Sequence, residues 1–196
     1  MLTLLLVTAV SIAGCQFGQP SAGGSLAAVS IGDDPVRLPG DYPTAICKYR
    51  GRNSATILLS DRTVDELRAG DFANGQIIVL DMFWAPKAGS TPLDPTSTNC
   101  AARHIVFAGD AVGVYSGAGF LRPAKRTFGD SFSGALLDCT LELTSATDGF
   151  ADRLGVASLT GRFSADRERE LFSEIAIQLN SELSRRFGRL FLAIPD

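Results

Sequence analysis

Apolar and polar positions fall into three successive patterns along the chain. The first is a nearly unbroken apolar run from Leu2 to Ala13. It is shorter than the ~20 residues needed to cross a bilayer. It ends in small residues, and Gly- and Ser-rich sequence follows, which marks a cleaved targeting signal rather than a core helix. The second pattern is alternation with a period of two, the mark of strands. Ala55–Ser60 predicts a short strand, and Gln76–Trp84 a nearly continuous apolar one that is central and buried. Arg103–Ala108 and Ala111–Ser116 flank Gly109-Asp110, a two-residue link that predicts a tight hairpin. Gly113, Gly117 and Gly119 predict a bulge or close backbone packing in its second strand. Ala135–Ser145 places Leu137, Cys139, Leu141 and Leu143 on one face, and Asp138, Thr140, Glu142 and Thr144 on the other. Gly155–Ala165 alternates again, with Ala157, Leu159, Gly161 and Phe163 together, so these two strands are expected to be antiparallel neighbours.

The third pattern has helical spacing. Leu171, Ile175, Leu179, Leu183 and Phe187, with Phe172 and Ala176 beside them, form one stripe. The predicted helix is capped by Asp166 and stopped by Gly188, and its acidic start and basic end suit the helix dipole. A shorter helix is expected from Thr63, which has capping-box spacing to Glu66, to about Ala69. A last strand, Leu190–Ile194, is expected to return to the sheet. Strands followed by one long helix predict an α+β domain, mainly antiparallel sheet packed on one face by the C-terminal helix. Five or more strands under one helix could also curl into a partly open barrel. The expected divisions are a signal over 1–14, a flexible tether over 15–34 and a single globular domain over 35–196.

The end of the first run, Ile12-Ala13-Gly14-Cys15, resembles the lipobox of bacterial lipoproteins. The resemblance covers about the first 15 residues and concerns address, not activity. It implies that the signal peptide is cut before Cys15 and that Cys15 carries palmitate-type acyl chains. Two or three such chains fix a protein to a membrane, since each buried CH₂ contributes about 0.8 kcal/mol. It also implies an extracytoplasmic place in the cell envelope. Gln16 lacks the Asp associated with inner-membrane retention, which favours the outer membrane where one exists.

Composition narrows the function classes. Apolar content of 45% and charged content of 20% are those of an ordinary globular chain. A net charge of −3 gives no nucleic-acid footprint. With Cys15 acylated, Cys47, Cys100 and Cys139 remain and cannot all pair. Cys139 reads as a buried small hydrophobe, and Cys47–Cys100 is the expected disulfide. The one histidine, His104, reads as a structural or surface strand residue rather than a catalytic base, and zinc chemistry would need more ligands. No metal or cofactor is expected.

The loop from Ala85 to Ala101 is the leading candidate binding segment, with Trp84 at its root and Asp94, Thr96, Thr98 and Asn99 along it. Its oxygen-rich side chains have Ca²⁺ chemistry, but the single carboxylate, Asp94, favours a loop held by Asx and hydroxyl turns. The expected function is a non-enzymatic envelope lipoprotein, a binding or assembly module with a protein or polymer partner. The alternatives are a lipid-anchored hydrolase of cell-wall or glycan polymers, and a carrier of apolar ligands between sheet and helix.

Overall fold

A computed structural model describes residues 22–86, 98–124 and 129–189. Nine strands and two helices follow in the order β1 Gly23–Ser30, β2 Arg37–Tyr42, β3 Thr44–Tyr49, β4 Ala55–Ser60, α1 Val64–Arg68, β5 Gln76–Met82, β6 Cys100–Ala108, β7 Ala111–Pro123, β8 Ser131–Ala146, β9 Ala157–Arg167 and α2 Arg169–Phe187. The architecture is the expected one: mostly antiparallel sheet with one long C-terminal helix packed on it. The strands run β2-β1-β9-β3-β4-β5-β6-β7-β8, and β8 also pairs with β9, which brings the far edge back. This makes a ring of strands without a clean barrel. β9 is the junction: β8 pairs with it antiparallel from Ser131 to Leu141, β1 pairs with it over residues 157–164, and β3 joins it in parallel only at Asp166 and Arg167.

Two apolar layers explain the sequence patterns. Inside the ring lie Leu26, Ile57, Leu59, Ile78, Leu80, Met82, Phe132, Leu136, Leu159 and Phe163. Outside it, Ile46, Leu58, Ile77, Val79, Ile105 and Val114 are covered by Phe172, Ile175, Ala176, Leu179 and Leu183 of α2. β5 is wet on neither face, which is why its sequence reads as a continuous apolar run. The capping box of α1 is present: Glu66 N–H donates to Thr63 Oγ1, and Thr63 N–H donates to Glu66 Oε2 at 2.8 Å.

Several boundaries differ from expectation. Gly23–Ser30, assigned to the flexible tether, is a full strand between β2 and β9. Its small residues let it lie flat: a Cβ on Gly24 would meet Leu59 and Phe163 at 2.8 Å. β2 and β3 lie over 37–49, where no strand is expected from the sequence. Pro39 stands in β2 because β2 ends the strand order and has a free edge. Asp166 does not cap α2; it still pairs with Ile46 and Ser131 within the sheet, and Glu168 takes the N-cap position without a side-chain bond. Gly188 ends α2 in the left-handed conformation, as expected.

In β8 the alternation breaks at a bulge between Leu136 and Cys139, where Asp138 has φ 51°. Leu136 therefore turns inward and Leu137 is 38% exposed, opposite to the simple alternation. Cys47 and Cys100 are not bridged. With Cys139, all three are buried free thiols, and β4 and β5 stand between the strands that carry the first two. Their thiols donate to different carbonyls, Ala165 O at 3.8 Å and Ala101 O at 3.3 Å. Burial pushes the thiols of Cys47 and Cys139 up to about 12, so they stay protonated and inert. Cys15 and the strand expected at Leu190–Ile194 lie outside the described residues.

Candidate functional site

The expected binding loop divides at the boundary of the described residues. Asp94 and Thr96 lie outside them, and Thr98 is exposed. Trp84 is half-buried, with its ring edge-on to Phe120 at 6.3 Å. Asn99 is fully buried and commits its whole amide to the fold. Its Nδ2 donates to Leu121 O at 2.8 Å and Trp84 O at 3.2 Å, and its Oδ1 accepts from Leu121 N–H at 2.7 Å. Asn99 thus ties both roots of the loop to β7, and its full burial puts the amide out of a ligand's reach.

A different part of the surface forms a pocket. Among the described residues, a half-open pocket of about 470 Å³ lies between β2, the ends of β6, β7 and the turn between β8 and β9. That size falls within the roughly 300–1,000 Å³ of small-molecule pockets. Val36 and Leu38 form one wall, Val106 and Ala108 a second, and Phe150, Ala151 and Leu154 a third, with Tyr115 between them. Arg37 and Arg153 are the only charged residues in its lining. Both are exposed, and neither forms an ion pair with a described residue.

Sequence details build these walls. Gly113 of β7 gives Phe150 its place, because a Cβ there would fall within the Phe150 ring. Phe150 in turn meets Tyr115 edge-on at 6.3 Å. The Tyr115 hydroxyl donates to Asp152 Oδ1 at 2.7 Å, which also accepts from the Gly155 and Leu154 amides at 2.9 and 3.1 Å. Burial alone would raise the Asp152 carboxyl, but these three bonds outweigh it and hold it below the usual aspartate range. The turn, and with it the third wall, is fixed by that one carboxylate.

Behind Tyr115 the ring interior holds a small polar cluster. The His104 ring lies 6.3 Å from the Tyr115 ring and is fully buried. Its Nε2 donates to Gln76 Oε1 at 3.0 Å, which also accepts from the Tyr42 hydroxyl at 3.4 Å. Nδ1, the bare lone pair of this tautomer, has no partner. His104 is thus a buried residue of the ring interior, and among the described residues its ring bonds to no serine or carboxylate. Burial lowers its pKa from 6.5 to about 4.

This burial couples stability to pH. Between pH 6.5 and pH 4 the unfolded chain binds a proton that the folded chain refuses, so stability falls as pH falls through that window. The slope approaches about 1.4 kcal/mol per pH unit, or about 3 kcal/mol in all. Denaturant melts at about pH 7, 5.5 and 4 should show this loss. His104→Gln, which has no such titration, should flatten it; an unchanged slope in that variant would assign the loss to other groups.

Among the described residues, no group of three or more His, Cys, Asp or Glu side chains is placed to share a metal ion, and no helix is long and apolar enough to cross a membrane. The chain matches no protein-family model, no curated protein and no solved structure. Sequence reasoning missed this pocket because its residues are scattered over 36–38, 106–108, 115 and 149–154. The one available signal was alternation at Val36 and Leu38, interrupted by Pro39 and Gly40.

Proposed function

We propose that this protein is a lipid-anchored, non-enzymatic binding module of the cell envelope, and that its ligand sits in the pocket between β2, β6, β7 and the β8–β9 turn. Cys15 carries the anchor in this reading, by resemblance to the lipobox. The observation that supports binding is the pocket itself: an apolar hollow of about 470 Å³ with a positioned aromatic floor. Side chains of sheet and helix are buried against each other in the layer between them, and among the described residues the apolar-ligand reading is best supported at this pocket. A glycan hydrolase is the rival. It would need two carboxylates facing each other about 5–10 Å apart, whereas the charged side chains lining this pocket are Arg37 and Arg153.

The test uses the purified full chain and a neutral naphthylamine dye whose fluorescence rises in apolar surroundings. Wild type should give a saturable rise. Ala108→Trp, which places an indole in the pocket from an exposed position, should lose most of it at an unchanged melting temperature. An equal response in both proteins would remove the pocket as the binding site.

A further inference from the structure

The pocket combines an apolar body with two cations, and this combination specifies a ligand class. We propose that it takes a single-chain anionic amphiphile, an acyl chain ending in a carboxylate, with the chain against Leu38, Phe150 and Leu154 and the head between Arg37 and Arg153. The inference rests on the pocket being a binding site and adds what fills it.

Three observations carry it. First, the lining is apolar except for the two arginines and the Tyr115 hydroxyl. That hydroxyl is already committed to Asp152 at 2.7 Å, so it offers no free donor to a neutral polar ligand. Second, the arginines come from different elements, Arg37 from β2 and Arg153 from the β8–β9 turn, and both are free of ion pairs with described residues. Arginine forks suit a carboxylate, which accepts two parallel N–H bonds. Third, no carboxylate lines the pocket: Asp33, Asp34, Asp148 and Asp152 are absent from its lining, and Asp152 turns its Oδ1 to three donors of the fold. The surface beside the pocket continues its apolar character: Val36 on its wall is 43% exposed, and Ile31 and Val156, whose backbones are bonded at 2.7 Å, are 63% and 46% exposed. A chain longer than the pocket would leave across these side chains.

The test is competition for the dye by three probes of equal chain length: laurate, dodecanol and dodecyltrimethylammonium. In wild type, laurate should displace the dye at concentrations at least about tenfold lower than the cationic probe, and added salt should narrow that gap, since exposed charges are screened. In Arg37→Gln/Arg153→Gln the gap should close while the dye still binds. Arg37→Lys/Arg153→Lys should restore part of it. Both arginines are exposed, so these variants should melt with wild type. Equal displacement by all three probes in wild type would overturn the anionic ligand class and leave the pocket as a binding site. An unchanged laurate preference in the double glutamine variant would overturn the role of the arginines. Failure of the dye to bind wild type in the pocket would remove the underlying reading instead.

Discussion

Asn99→Asp should destabilise the protein by about 4 kcal/mol, although it replaces one NH₂ by one oxygen. The new oxygen would face Leu121 O and Trp84 O, the two carbonyls that Nδ2 now satisfies. It would bring a charge to a position with no exposure and no cation among its bonded partners. A buried charge left without a partner typically costs about 3–5 kcal/mol, and each orphaned buried carbonyl adds to the loss. Asn99→Ala should cost less, about 2–3 kcal/mol, because it removes the bonds without adding a charge. The order of the two variants in a urea melt is the informative result. If Asn99→Asp melts with wild type, the side chain is free for a ligand, as the oxygen-rich loop first implied.

Gly117→Val should be more damaging still, leaving little soluble folded protein. A Cβ at Gly117 would run into Thr140 O and close on Leu141 Cα at 3.1 Å. These are backbone atoms of β8, the neighbouring strand, so no side chain can rotate away. β7 and β8 share the most extensive pairing in the ring, with register shifts on both sides of this glycine. Overpacking usually costs about 1–3 kcal/mol where side chains can yield. Against backbone we expect about 4 kcal/mol or more, a large share of the roughly 5–15 kcal/mol that holds a domain together. Thermal melts should show a fall of more than about 10 °C in any folded fraction. A normal melt would mean that β7 and β8 are not packed this closely.

These two residues show how differently the sequence speaks about fold and about site. Alternation along β9 and along β8 beyond its bulge, the Gly109-Asp110 hairpin and the helical stripe of α2 were legible because each element carries its own local signal. The glycines of β7 announced close packing because a missing side chain in a strand has few other uses. By contrast, β1 was hidden by its smallness: Gly23-Gly24-Ser25 reads as a tether, and only the approach of Leu59 and Phe163 gives Gly24 a purpose. The pocket was hidden for a stronger reason. Val36, Val106, Tyr115 and Leu154 become neighbours only when the ring forms, and no local period encodes a spatial coincidence. Asn99 lies buried against the backbone, and a polar residue in a Thr-rich loop looks the same in sequence whether it faces solvent or the backbone.

The most direct measurement is the intact mass of the protein taken from its native membrane fraction, before and after reduction. A chain that begins at Cys15, carries two or three acyl groups and shows no mass change on reduction is what the account predicts: a membrane-held domain whose three other cysteines are buried thiols. An unacylated chain that still carries residues 1–14 would contradict it, and would take away the envelope as the place where the pocket finds its ligand.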